Sequence, residues 1–182
     1  QAAIRTLAHR HWTREQPIVI TSQIEPAFMR DMVWPRDRKN LFHQAETLRI
    51  KDAAHRAAHP EMFIVGSATE AEPLPDAYAR YLAAFACPVL LMSYESAAFA
   101  KIAINAFLIS QVETTNMLAK LADKCGADWE SVVRALKFDS RIGQQAYLEP
   151  GNWQDSIHLK RDFVTLCEIA GTQPKHLLDA WA

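Results

Sequence analysis

Glycine is scarce in this sequence, and the glycine-rich turns that bind phosphate groups are missing. Only five glycines occur, and no two of them have the spacing of a G-x-G-x-x-G turn or a G-x-x-x-x-G-K-[ST] loop. Those turns let backbone N–H groups approach a pyrophosphate closely. If the protein uses a nucleotide cofactor, the main phosphate site is therefore not in these 182 residues.

An excess of charge is also missing. The 20 Lys and Arg residues face 21 Asp and Glu residues, which leaves a net charge of -1, so no overall field attracts nucleic acid or a membrane surface. The histidines show no H-E-x-x-H or comparable ligand spacing, and we expect no metal site. Cys87, Cys125 and Cys167 are odd in number and far apart, which is typical of reduced thiols in a cytosolic protein.

Long hydrophobic runs are absent as well. The most apolar stretch, residues 83–92, is interrupted by Pro88 and is too short to cross a bilayer, and residues 1–15 lack the apolar core of a signal peptide. The hydrophobic content of 49% is enough for a buried core. We therefore expect a globular protein of the cytoplasm that binds neither membrane nor nucleic acid.

The first half of the chain has the alternation of strands and helices that is typical of an α/β fold. Short apolar segments at 17–20, 62–66 and 88–92 predict three strands. Such strands, separated by helices, favour a parallel sheet. The remaining segments are predicted as helices at 2–12, 42–58 and 75–84, and as an extended connection over 22–39.

The second half is predicted to be helical. Residues 95–125 contain neither Gly nor Pro, and their apolar positions recur every three or four residues, which predicts one long helix that Gly126 ends. Asp128 is a candidate N-cap for a helix to about Leu136. We predict a polar loop over 139–162, helices at 163–170 and 176–181, and two domains, 1–92 and 93–182.

Two polar residues of the long helix are candidates for chemistry. Lys101 and Asn105 are four residues apart, so a helix places both on one side. Such a pair is commonly a solvated lysine with a neighbouring amide. It can also be a cation and an amide donor that face a developing oxyanion. The spacing alone leaves both interpretations open.

The segments around this pair resemble one enzyme family. Residues 96–108 (SAAFAKIAINAFL) are similar to a helix of the pattern A-E-x-x-K-x-x-x-N-x-F-x-A, and 125–128 (CGAD), 138–143 (FDSRIG) and 147–151 (YLEPG) follow in the same order. Residues 46–66 resemble E-F-L-R-E-G-x-A followed by P-D-R-x-x-x-G. These motifs are typical of the nucleotide-sugar 6-dehydrogenases, the UDP-glucose/GDP-mannose dehydrogenase family, and most resemble UDP-glucose 6-dehydrogenases.

The resemblance implies a fold and a reaction. Residues 1–92 would be the end of an NAD-binding domain with a partial parallel Rossmann-type sheet, and 93–182 a mainly helical domain whose long central helix forms a homodimer. The reaction oxidises the 6-hydroxyl of a nucleotide sugar to a carboxylate by two hydride transfers to NAD. A cysteine holds the aldehyde and then a thioester, because the second hydride must leave a carbon that bears an oxyanion.

The resemblance also assigns roles to residues. Among the candidate catalytic residues, Lys101 and Asn105 match the oxyanion pair, Glu46 the glutamate that assists thioester hydrolysis, and Asp162 the acid that follows the cysteine. The candidate binding residues are Arg141, which would reach the nucleotide sugar across the dimer interface, Tyr147 and Leu148 of the substrate loop, and Ser22 and Arg161 at the cofactor.

Several positions depart from the family pattern. His158 stands where the family has its cysteine, Gln23 replaces a threonine, Ile50 replaces a second glutamate, and 152–156 (NWQDS) replaces a glycine-rich run. His158 is either a base that supports oxidation to the aldehyde only or a polar loop residue that remains after the nucleophile was lost, because imidazole forms no stable thioester. The sequence thus favours a divergent or impaired dehydrogenase. The alternative is a catalytically silent homologue with a dimeric structural or regulatory role.

Overall fold

The computed structural model describes residues 16–32, 38–48, 52–70 and 73–173. Their contacts divide the chain into two compact units, one ending at Lys101 and the other beginning at Ile102. This division falls inside the long helix, and the predicted domain boundary after Met92 remains a prediction. The helices predicted at 2–12 and 176–181 lie outside the described residues.

A four-stranded sheet forms the centre of the first unit. Its strands are β1 (Ile18–Ile20), β2 (Leu41–Ala45), β3 (Phe63–Ser67) and β4 (Val89–Ser93), in the order β1-β2-β3-β4. Strand β1 is parallel to β2, and β3 is parallel to β4, whereas β2 and β3 are antiparallel. The α/β class and the three predicted strands are confirmed. The sheet is mixed rather than parallel as predicted, because β2 and β3 are antiparallel.

Strand β2 corrects the helix predicted from residue 42. All five of its residues are buried, and their backbone pairs with β1 on one side and β3 on the other. His43 and Gln44 interrupt the apolar pattern, so the local sequence does not predict a strand. Pairing with the neighbouring strands stabilises the strand conformation instead. Among the described residues of the predicted helix, those at its end are helical, as α2 (Ala53–Ala58).

Two further helices cover the sheet of this unit. Helix α1 (Phe28–Asp31) buries Phe28 and Met29, so the predicted extended connection over 22–39 is not continuous. A short 3-10 helix, Arg38–Asn40, leads into β2. Helix α3 (Asp76–Ala83) is confirmed; it follows Pro75 and turns Tyr78 and Leu82 into the core.

The start of the long helix α4 (Tyr94–Cys125) packs tightly against the sheet. The Tyr94 hydroxyl donates to the carbonyl of Leu41 at 2.8 Å, and Tyr94 is fully buried among residues of β1, α1 and β2. Gly66 lies directly beneath this turn, where an added Cβ would be 2.9 Å from the Ala97 Cβ and 3.0 Å from the Tyr94 Cα. The absence of a side chain at Gly66 allows this close approach.

The second unit contains the rest of α4, α5 (Trp129–Phe138) and α6 (Ile157–Ala170). The Asp128 side chain accepts from the Ser131 N–H at 2.9 Å, as expected of an N-cap. Helix α6 begins within the segment predicted as a loop over 139–162, because the Ser156 side chain caps it by accepting from the Leu159 N–H. The core of this unit joins Ile109 and Val112 of α4 to Phe163 and Cys167 of α6.

No helix in the described ranges is long and apolar enough to cross a membrane.

Substitution Gly66→Ala should destabilise the protein, because the new methyl group would overlap Ala97 and the Tyr94 backbone. We expect a loss of about 1–3 kcal/mol in the free energy of unfolding, measured in urea. Gly151→Ala is the control, since an added Cβ there meets its nearest atom only at 4.0 Å. Equal stability of the two variants would contradict the close approach.

Buried His43 should make stability depend on pH. Burial lowers the pKa of His43 from 6.5 to about 4, although a hydrogen bond to the Ser22 carbonyl opposes the shift. The unfolded chain therefore binds a proton below about pH 6.5 that the folded chain excludes, so the stabilisation present above that pH is lost as pH falls towards 4.

We expect the free energy of unfolding to fall by about 1–2 kcal/mol between pH 7 and pH 5 through this residue. In urea titrations, His43→Leu should lose that part of the slope, and His59→Leu, which changes an exposed histidine, should keep it. A His43→Leu protein with the full slope would exclude His43 as the cause.

Candidate active site

The buried carboxylate of Asp162 organises the polar part of the second unit. Asp162 is completely buried on α6, and its Oδ2 accepts from the Asn105 side-chain amide of α4 at 2.5 Å. Its Oδ1 accepts from Arg161 Nε at 3.0 Å. A buried carboxylate requires such donors, because it has lost its hydration. The contact joins residues that are 57 positions apart in the sequence.

This arrangement fixes the orientation of Asn105. Its amide nitrogen faces Asp162, so one of the two N–H donors of the group that the resemblance assigned to an oxyanion is used in a hydrogen bond with a carboxylate. The Arg161 side chain is 44% exposed, so one part of the guanidinium pairs with Asp162 while another part reaches solvent. The Asp162 carboxylate therefore holds the Asn105 amide and the Arg161 guanidinium in place.

His158 lies one helical turn before Asp162. It is in the first turn of α6 rather than in a loop, and it is exposed. Positions four residues apart share a side of a helix, so an imidazole and a buried carboxylate follow one another along α6. The predicted loop over 139–162 is therefore wrong for both positions, which lie on α6.

Three candidate residues belong to the first unit. Lys101 is buried in α4. Glu46 is exposed just after β2, and its Oε1 accepts from the Leu48 N–H at 2.9 Å; Glu46 also borders a cavity of about 110 Å³. Ser22 is exposed after β1, and its carbonyl accepts from the His43 ring at 3.3 Å.

The candidate substrate residues belong to the second unit. The guanidinium of Arg141 pairs with both carboxylate oxygens of Asp139, at 2.6 and 3.0 Å, although 86% of its side chain is exposed. The Arg141 side chain is therefore accessible to a ligand. To bind a ligand, its guanidinium must leave Asp139 or contact both groups at once. Tyr147 and Leu148 are half-buried, and their backbone groups bond to side chains of α4 and α5.

Sequence reasoning missed the contacts that hold the loop after α5. Trp153 was expected in the space of a glycine-rich run. It instead packs edge-on against Phe163 in the core, and its ring N–H donates to Glu113 of α4. The polar residues Gln111 and Thr115 of α4 also bond to this loop. Their spacing of four residues was a usable signal for a shared helix side.

Known proteins with similar sequences include several members of one enzyme family. The central-domain profile of the UDP-glucose/GDP-mannose dehydrogenase family matches residues 95–181. A UDP-glucose 6-dehydrogenase of Bacillus subtilis is 30% identical over 69% of this chain and 28% of its own length. One of Pseudomonas aeruginosa is 39% identical over 59% of this chain and 24% of its own length. This chain belongs to the UDP-glucose/GDP-mannose dehydrogenase family.

Solved structures of the family share the fold. A UDP-D-ManNAc dehydrogenase of Pyrococcus horikoshii aligns with a TM-score of 0.73 over 94% of this chain and 42% of that one, at 19% identity. A GDP-mannose dehydrogenase of Pseudomonas aeruginosa aligns with a TM-score of 0.66 over 93% and 42%. The chain thus spans less than half the length of these relatives.

The family assignment of UDP-glucose/GDP-mannose dehydrogenase applies to the segment that contains the Asn105–Asp162 contact. Members of the family are NAD-dependent dehydrogenases of nucleotide sugars. Residues 95–181 include Lys101, Asn105, His158 and Asp162, so these four lie in the segment that matches the central domain. Their individual roles remain predictions.

Removing the Asp162 carboxylate should unfold the second unit more easily. Asp162→Ala leaves the part-buried Asn105 amide without its Asp162 acceptor, and we expect a loss of about 1–3 kcal/mol in the free energy of unfolding. Asp123→Ala, at an exposed position of α4, is the matched control in the same urea titration. If both variants were equally stable, the Asn105–Asp162 contact would not hold these helices together.

Proposed function

We propose that the protein containing this chain is an NAD-dependent nucleotide-sugar 6-dehydrogenase that is impaired and stops at the aldehyde. The observation that carries the proposal is the Asn105–Asp162 contact with His158 one turn away on α6, within the segment that matches the family's central domain. This is a polar centre of the kind such a reaction needs, but it has a histidine where a thiol is required.

The chemistry explains why the thiol matters. In the first oxidation, the 6-carbon of the sugar loses a hydride and its hydroxyl loses a proton, which gives an aldehyde. A second oxidation to the acid consumes a water molecule and a second hydride acceptor, and it requires an oxygen-bearing carbon held on a nucleophile. An imidazole can accept the hydroxyl proton of the first step, but it does not hold a stable acyl intermediate for the second.

The residues of the chain take distinct parts in this proposal. Asp162 holds the side chain of Asn105 in place, Lys101 and Asn105 stabilise the alkoxide as its proton leaves, and His158 accepts that proton. Glu46, which would assist thioester hydrolysis, has no such intermediate to act on. Its exposure and its bond to the Leu48 backbone are compatible with a residue that only borders the site.

The cofactor is proposed to be NAD, which supplies the hydride acceptor. Ser22 offers an exposed hydroxyl at the carboxyl end of a parallel strand, the edge at which α/β sheets bind ligands, and Arg161 keeps part of its guanidinium in solvent. Each of these residues, taken by itself, offers a polar group of the kind that contacts a dinucleotide. The five glycines of the chain form no pyrophosphate turn, so the remainder of that site must come from elsewhere in the protein.

The substrate is proposed to be a UDP-sugar bound at Arg141, Tyr147 and Leu148. The long helix is proposed to form a homodimer. Three large apolar side chains of α4 support this, because Phe107 is 73% exposed and Met117 and Leu121 are each about half exposed. Exposed apolar residues on one helix are typical of a surface that a partner covers.

A catalytically silent homologue is the second candidate. It is favoured by the use of the Asn105 amide within the protein, since Asp162 takes one of the two N–H donors of that amide. Binding of nucleotide sugar and NAD without any formation of NADH would support this candidate. Thermal shift measurements with UDP-glucose and NAD, beside an NADH assay, separate the two: turnover favours the dehydrogenase, and the absence of any shift or turnover argues against both ligands.

Substitution His158→Cys should raise the yield of uronic acid from UDP-glucose in the full-length protein. The thiol would restore the nucleophile for the second oxidation, and we expect at least a tenfold gain in acid formation over the unchanged protein. The measurement is mass spectrometry of the product together with NADH formation.

The matched control is Ile157→Cys, which places a thiol at the exposed preceding position of the same helical turn. It should give no gain. If His158→Cys were as inactive in acid formation as the control, position 158 would not face the reacting carbon.

A further inference from the structure

The segment 147–153 is held to helices α4 and α5 by side chains rather than by other backbone. Tyr147 is bonded through both its N–H and its carbonyl, Leu148 through its carbonyl, and Gly151 through both groups. The Tyr147 N–H donates to the Gln111 side chain at 3.1 Å, and the Tyr147 carbonyl accepts from the Thr115 hydroxyl at 2.7 Å. The Leu148 carbonyl accepts from the Trp129 ring N–H at 3.2 Å. The carbonyl and N–H of Gly151 bond to the Asn116 side chain at 2.8 and 2.9 Å.

Thr115 and Asn116 are the most specific of these partners. Thr115 is 2% exposed, and its hydroxyl donates to the Tyr147 carbonyl. The Asn116 amide donates to the Gly151 carbonyl and accepts from the Gly151 N–H, so a single side chain replaces a pair of backbone hydrogen bonds. The two side chains therefore fix the backbone at both ends of 147–151.

The two ends of this segment are fixed in other ways too. Tyr147 packs against the core of the second unit, and Trp153 is buried in that core with its ring N–H on Glu113. Pro150 restricts the backbone just before Gly151. The segment therefore has its shape before a ligand arrives, and α6 with His158 and Asp162 begins only a few residues later.

We infer that Thr115 and Asn116 are positioning residues for the nucleotide sugar. They hold the backbone of 147–151 in the conformation that receives the sugar, without contacting it themselves. A segment that is ordered before binding loses less conformational freedom when the ligand binds, so affinity for that ligand depends on these two side chains. This inference rests on the proposed function, because it assigns the segment to the substrate.

The test uses the full-length protein and isothermal titration with two probes, UDP-glucose and NAD. Thr115→Val keeps the shape of the side chain and removes the hydroxyl. It should weaken UDP-glucose binding about tenfold, the effect of one lost hydrogen bond, and leave NAD binding within about twofold. Thr115→Ser restores the hydroxyl and should bind UDP-glucose nearly as tightly as the unchanged protein.

Thr114→Val is the matched control, because Thr114 is the exposed neighbour on the same helix. It should change neither affinity. Asn116→Leu should also weaken UDP-glucose binding selectively, and it should speed hydrogen exchange at the Gly151 amide, which then lacks its acceptor.

The outcomes separate the inference from the proposed function. If the unchanged protein binds UDP-glucose and Thr115→Val binds it equally well, or weakens both ligands alike, the positioning role is overturned while the proposed substrate stands. If the unchanged protein binds no UDP-glucose, the proposed substrate fails and the positioning role fails with it. Selective loss that Thr115→Ser repairs supports the inference.

Discussion

The burial of the Asp162 carboxylate is the constraint on which the second unit depends. A charge removed from water needs donors at fixed distances, and the donors to Asp162 include Asn105 on α4 and Arg161 on α6. The hydrogen bond between Asn105 and Asp162 therefore sets how these two helices meet. It also orients the Asn105 amide, because one of its two N–H donors bonds to the carboxylate and the other is left for a further acceptor.

The long helix α4 connects this polar contact to the loop that follows α5. Its apolar residues, such as Ile109 and Val112, build the core with α6, while Thr115 and Asn116 on later turns take up the backbone groups of 147–151. Helix α4 thus contributes core residues, the Asn105 amide that bonds to Asp162, and the side chains that bond to the backbone of 147–151. The replacement of a glycine-rich run by residues such as Trp153 fits this scheme, since Trp153 adds a core anchor.

The sequence predicted elements that local residues determine, and it failed where distant residues decide. Helix α4 followed from a stretch without Gly or Pro, and the Asp128 cap was correct. The segment of β2 was wrongly predicted to be helical, because His43 and Gln44 adopt a strand only through pairing with β1 and β3. The resemblance placed Asn105 and Asp162 among the candidate catalytic residues, but their contact spans 57 positions and no local pattern encodes it.

The central claim is that a family fold with its polar centre retained, and a histidine at position 158, supports one oxidation and not two. The most direct measurement is the number of NADH molecules formed per UDP-glucose consumed by the full-length protein. The product is identified by mass spectrometry in the same samples. The account predicts about one NADH and a 6-aldehyde, because the second step requires a thiol. About two NADH with a uronic acid as product would contradict it.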